Sequence, residues 1–116
     1  MSEAFGIALS ALRAFEIKLN VNANNVANVN TDKFKKSRVN LEESAAGGVQ
    51  VTITQQNTPG IPLGTDERTG EERESSNVSM EEEIVDQMVT QYAFEANTIT
   101  VKTADVMHKT LLDILS

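Results

Sequence analysis

The chain has no cysteine and no tryptophan, only two prolines and one histidine, and aromatic residues make up just 4% of it. Without cysteine, a disulfide scaffold and a thiolate metal site are both excluded. The lone His108 has no second imidazole or nearby nucleophile with which to build a metal or catalytic pair. Few large rings argue against a compact globule and for elongated helical packing. No run approaches the ~20 apolar residues that span a bilayer. The N-terminus shows neither a basic leader nor an unbroken apolar core, so no secretory signal is visible and the sequence by itself points to the cytoplasm. A glycine-rich phosphate loop and a serine-centred elbow are also missing. The expectation is therefore no catalysis and no cofactor.

What is present is acidic and unevenly spread. Ten basic and 17 acidic residues give a net charge of −7 over 116 residues. Residues 1–34 are neutral, and most of the excess negative charge lies after residue 78. An acidic chain repels phosphate backbones and anionic lipid, so neither nucleic acid nor a membrane is an expected partner. The length suits one domain.

Both ends have helical periodicity. Phe5, Leu12, Leu19 and Val26 recur every seven residues, with Ala8 and Phe15 beside them, and predict a helix over 2–29. Glu3 suits its positive end. Val85, Met88, Tyr92, Ala96, Ile99, Thr103 and Val106 predict a longer helix over 79–115, uninterrupted by glycine or proline. Ser79 followed by Glu82 makes a capping box, and Glu81, Glu82 and Glu83 favour the helix start. These two faces are expected to pair within the chain.

The middle reads differently. Val39 and Leu41, then Val49, Val51 and Ile53, alternate with polar residues and predict two strands joined through residues 44–48. Residues 58–77 hold both prolines, three glycines and a charge run, which predicts a mobile loop. The expected fold is mainly α. Two long antiparallel terminal helices form a coiled-coil-like hairpin around a short β-hairpin and loop insertion. The segments are 1–34, 35–78 and 79–116, the two ends forming one structural domain.

Each helix also carries a second apolar series. Ile7, Ala14 and Val21 recur every seven residues, as do Phe94, Val101, His108 and Leu115. A two-helix hairpin buries one face of each helix, so these series are either scattered surface apolars or a seam for further helices. The asparagines pose a similar choice. Asn20, Asn24 and Asn28 stack four apart, with Asn22, Asn25 and Asn30 around them. They are either an ordinary frayed helix end or an inter-subunit face, since an amide both donates and accepts.

Two segments carry a resemblance. The first is Ala23-Asn24-Asn25-Val26-Ala27-Asn28-Val29-Asn30-Thr31. The second starts at Ser76-Asn77-Val78-Ser79 and continues through Phe94-Glu95-Ala96-Asn97, Thr103-Ala104-Asp105-Val106-Met107 and Thr110-Leu111-Leu112. In this order they resemble the N- and C-terminal signatures of bacterial flagellar basal-body rod and hook proteins, and the length is similar to that of the small proximal-rod members. Asp32-Lys33-Phe34 stands where the family has Pro-Gly-Tyr, and residues 71–76 replace a Gly-Tyr-Val entry to the second helix. The resemblance implies a structural subunit of the rod in the basal body, exported by the flagellar type III apparatus without a cleaved signal. Its partners would be itself and other axial proteins, and many copies would line an export channel. The residues expected to carry assembly are Ile7, Val21, Asn24, Asn25, Asn28, Asn30, Phe94, Asn97, Val101 and Leu115. A soluble helical adaptor or chaperone-like module is the rival reading.

Overall fold

The computed structural model describes residues 2–116. The elements run α1 (Ser2–Ala27), β1 (Ser37–Glu43), β2 (Val49–Gln55), β3 (Pro62–Thr65), β4 (Glu72–Glu74) and α2 (Met80–Leu115). The molecule is mainly helical and long, with extents of 77 × 25 × 17 Å. Its radius of gyration is 20.4 Å, against about 13 Å for a compact chain of this size. Among the described residues, no helix is long and apolar enough to cross a membrane.

α2 starts where the capping box predicts. The Ser79 hydroxyl accepts from the Glu82 N–H, and three glutamates occupy the first turn. α1 stops at Ala27 rather than at the expected residue 29. There the Asn28 side-chain amide donates to the Asn24 carbonyl, in competition with the backbone ladder. The helices lie antiparallel: Lys18 reaches Asp86, and Asn22 reaches Glu83. On that register the start of α1 lies near Ala104, and residues 105–115 of α2 run on past it.

β1 and β2 form the expected antiparallel hairpin, with Val39 opposite Ile53 and Leu41 opposite Val51. It lies along α1, and its tip closes on the helix. The Val49 N–H donates to the Ser10 hydroxyl, which itself donates to the Ile7 carbonyl. Gly48 is needed at that tip on two grounds. Its φ is +85°, and a Cβ would stand 2.6 Å from the Ser10 oxygen.

Residues 58–77 are not the open loop expected. They contain a second antiparallel hairpin, β3–β4, with a register break between Pro62 and Gly64. Such a short strand, containing proline and glycine, leaves no alternation to read. Its pairing is imposed instead by backbone bonds across residues 66–71 and by side chains at its base.

The helix faces also need correcting. The buried apolar residues among those described are four alanines, Ala8, Ala11, Ala14 and Ala104. α1 therefore meets α2 through small side chains, which allow close approach. The Phe5–Leu12–Leu19 stripe is turned to one side of the contact, with Phe5 and Leu19 exposed. On α2 the reversal is complete. The inward stripe is Glu83, Thr90, Asn97 and Ala104, and Phe94 and Val101 lie beside it rather than on the back. The face expected to pair, from Val85 to Val106, points away from α1. The Ile7–Ala14–Val21 series is only partly an open seam, because the β1–β2 hairpin packs against this side of α1 and leaves Ile7 exposed. Ala14 is buried and Val21 is half-buried, and a Cβ added at Gly47 would stand 3.8 Å from the Ile7 side chain. Hydrophobic periodicity located apolar faces but could not say which of them the chain would cover with its own elements.

Candidate functional site

The two signature segments meet at the end of the hairpin where the helices enter the β insertion. Lys18, Asn22 and Asn25 lie on one stripe of α1, at intervals of four and three. Glu83, Asp86 and Thr90 form the facing stripe of α2. The Asn22 amide donates to Glu83 Oε2 at 2.5 Å and to Asp86 Oδ2 at 3.2 Å. Lys18 Nζ lies 2.9 Å from Asp86 Oδ1. The Asn25 amide donates to Glu83 Oε1 at 3.2 Å and to the Ser37 carbonyl at 2.9 Å, while its oxygen accepts from the Ser37 N–H at 3.1 Å. This last pair reproduces one rung of a β ladder, so Asn25 pins the first residue of β1 to both helices.

The second signature completes the clasp. Asn77 accepts from the Lys36 N–H at 2.7 Å and donates to the carbonyls of Gln56 and Thr58. It thereby ties the two ends of the first hairpin together. Ser76 donates to the Val29 carbonyl just beyond α1. Glu74 accepts from Lys35 Nζ at 2.7 Å and from the Gly60 N–H at 2.6 Å. The Lys35 hydrogen bond, then the Gly60 N–H, hold its carboxyl below the ordinary range. Arg73 pairs with Asp32 at 2.9 Å, which raises the guanidinium pKa further.

Asn25 was expected to face another subunit. It is 1% exposed and its donors and acceptor are engaged within the chain, so it cannot do so in this fold. Val21 and Val101 are half-buried, while Ile7 and Phe94 remain 42% and 43% exposed, so the two expected seams are covered only in part. Asn97 sits half-buried on the same inward stripe and donates to the Ala93 carbonyl. Asn24 and Asn30 are exposed, Asn28 is half-exposed with its oxygen bonded to Thr31, and Leu115 is exposed near the end of α2. Asn22, Glu83 and Asp86 were missed. The signal that could have found them is polar, not apolar: amide, cation and carboxylate side chains repeating at three and four residues on both helices.

One apolar surface left open is the outward side of α2. Val85, Tyr92, Ile99 and Val106 recur every seven residues there, each between 60% and 71% exposed. A spacing of seven is the repeat by which one helix seats another.

The clasp also contains a strained turn. Lys33 has a φ of +61°. The Phe34 N–H bonds back to the Thr31 carbonyl, and the Lys33 N–H bonds to the Glu74 carbonyl. This is the position at which the resemblance places glycine. A left-handed residue with a Cβ costs roughly 1–2 kcal/mol, part of which glycine returns as entropy. Lys33→Gly is therefore expected to stabilise the chain by about 0.5–1 kcal/mol and raise its melting temperature by about 2–6 °C. A lowered midpoint in a thermal melt would count against the turn as the source of strain.

Comparison with known proteins follows the same two ends. Residues 5–35 match the family model described as flagella basal body rod protein. Residues 73–114 match the one described as flagellar basal body rod FlgEFG protein C-terminal. The flagellar basal-body rod protein FlgG of Bacillus subtilis is 42% identical over 67 residues, covering 53% of this chain and 25% of that protein. The flagellar hook protein FlgE of Borreliella burgdorferi is 32% identical over 88 residues, covering 76% of this chain and 18% of that protein. The chain thus spans a quarter or less of the length of these two relatives, neither of which carries the name of the proximal-rod branch suggested by length. The matched segments are the two that the clasp joins, and the chain belongs to the flagellar basal-body rod and hook protein family.

Proposed function

We propose that this chain is a structural subunit of the bacterial flagellar axis, placed in the basal-body rod. It assembles with itself and with other axial proteins through its terminal helices. It reaches that site through the flagellar type III export apparatus without a cleaved signal, and it has no catalytic role. The observation that carries this reading is the outward stripe of α2. Val85, Tyr92, Ile99 and Val106 repeat at heptad spacing, and none of the described elements covers them. The stripe faces away from α1, so a helix from another molecule is its natural occupant. The acidic charge supports a protein partner rather than nucleic acid or membrane.

The test separates folding from assembly. Tyr92→Ser with Ile99→Ser removes apolar area worth roughly 25 cal/mol per Å² at any interface the stripe forms. Both side chains are largely exposed, so the purified variant is expected to melt within about 0.5 kcal/mol of the parent. In a strain lacking the native gene it is expected to be exported yet fail to restore motility. Normal motility would remove the assembly reading and favour the soluble adaptor. A large loss of monomer stability would place the stripe in the intrachain core.

A further inference from the structure

β1 is paired along one edge only. Just outside its two ends, the Gln56 N–H donates to the Lys36 carbonyl and the Ser44 N–H to the Gly48 carbonyl. Continued through the register of the hairpin, these bonds put Arg38, Asn40 and Glu42 on the rungs shared with β2. Ser37, Val39 and Leu41 therefore turn their backbone N–H and C=O groups the other way. At Ser37 those groups are met by the Asn25 side chain. At Val39 and Leu41 they have no partner among the described residues. A row of unpaired backbone groups is a template for a further strand.

A groove of about 650 Å³ runs along this edge. Four successive residues, Ser37 to Asn40, line one side of it, and none of β2 does, so that wall is the free edge of β1. The start of α2 forms the other wall, where Val85 and Val89 are 60% and 56% exposed. Asn22 of α1 also lines the groove; it is 2% exposed, and its side-chain oxygen has no partner. The polar lining is thus left one donor short. A cleft between a strand edge and a helix suits an extended peptide, which main-chain bonds hold and alternate side chains select.

The charges in the lining select among such peptides. Lys18 is paired with Asp86 and Lys36 with Glu82, while Glu83 is taken by Asn22 and Asn25. Of the lining cations, Arg38 alone has no ion pair among the described residues. The carboxylate left over, Glu81, belongs to the opposite wall, in the first turn of α2. Arg38 is exposed and the next residue, Val39, is half-buried. An added strand sets alternate side chains beside Arg38 and beside Val39. We propose that the groove takes an extended peptide segment of another protein as a third strand on β1. Its apolar side chains lie over Val39, Val85 and Val89, and an acidic side chain stands beside Arg38. The groove shares only Val85 with the outward stripe of α2, so this contact does not depend on the axial reading.

The experiment uses the full-length chain, diluted until it sediments as a monomer, and synthetic peptides alternating valine with serine. One peptide has a serine replaced by glutamate, another has lysine in the same place. The glutamate peptide is expected to slow amide exchange at Val39 and Leu41 by at least about tenfold. It is expected to bind at least about threefold more tightly than the lysine peptide. Arg38→Glu changes an exposed side chain and is expected to invert that preference. Methylating the valine nitrogens of the glutamate peptide removes the donors that would face β1, and is expected to abolish binding. Val39→Pro removes an outward N–H but none of the bonds to β2, and is expected to bind neither peptide. Unchanged exchange at Ser44, whose N–H reports the hairpin, verifies that this variant folds. The proposal is overturned if neither peptide protects Val39 and Leu41, if the methylated peptide binds as well, or if Arg38→Glu leaves the preference unchanged. Protection of Val39 and Leu41 that rises with protein concentration alone would give the groove to a second copy, and would overturn it equally.

Discussion

Replacing Glu83 by alanine is expected to open the hairpin at its clasp. Glu83 is buried, and both its oxygens accept amide hydrogens, one from Asn22 and one from Asn25. Hydrogen bonds to a charged acceptor are roughly twice as strong as neutral ones. Their removal leaves part of the bonding capacity of two buried amides unmet, at about 1–3 kcal/mol each. Asn22 has little in reserve, because its side-chain oxygen already lacks a partner. The remaining bonds to Asp86 and Ser37 limit the damage, so the expected loss is about 2–4 kcal/mol. In a molecule whose buried apolar residues are alanines, that is a large share of a domain stability of about 5–15 kcal/mol. Chemical denaturation would show a much lower midpoint, and amide exchange would speed up at Ser37, whose N–H depends on Asn25. Glu83→Gln, which keeps one acceptor oxygen, is expected to lose about half as much. An unchanged midpoint for Glu83→Ala would mean that the helices are held elsewhere.

The second large effect runs against ordinary intuition, because it comes from adding apolar surface. Ala14 is 1% exposed, where α1 is covered by both α2 and the β1–β2 hairpin. Ala14→Leu would insert three carbons at a site already closed to solvent. Overpacking a filled site costs about 1–3 kcal/mol. Here the cost is expected at the upper end, since separating the helices also stretches the Lys18–Asp86 and Asn22–Glu83 contacts. Ala23→Leu, on the exposed side of the same helix, is the control and is expected to change stability by less than about 0.5 kcal/mol. Equal urea midpoints for Ala14→Leu and the parent would show that the pair is looser than an alanine contact requires.

These two residues also mark how far the sequence could be read. The long helices, the capping box at Ser79 and the Val39–Ile53 hairpin were legible, because each follows from local rules of period and cap. The joining of the two signature segments was foreshadowed by their resemblance to parts of one device. The rotation of the helices was not legible. Leu19 and Ile99 outrank Ala14 and Thr90 on any hydrophobic scale, yet the chain buries the smaller pair. Close approach and satisfied polar groups decided the inward face, and the large side chains were left outside. A periodicity argument sees how apolar a face is, not what will lie against it. The same blindness hid Asn25, read as an outward amide when its donors and acceptor are spent at home. β3 and β4 were invisible for another reason: their pairing is held by Glu74 and by backbone bonds, not by side-chain alternation.

The clasp has a consequence for architecture. Asn25 and Glu83 bring the departure and return of the insertion within one hydrogen-bonded cluster, and Asn77 fastens the hairpin's two roots beside it. The β3–β4 hairpin therefore hangs from a narrow neck, whereas β1–β2 is laid against α1. The segments that match the family, 5–35 and 73–114, meet at that neck. A graft at residues 66–70, the turn of β3–β4, would load this pendant without bending the stem, whereas one at residues 44–48 would press on α1. The way the two helices leave the clasp is then fixed by the neck, whatever loops the β3–β4 pendant carries.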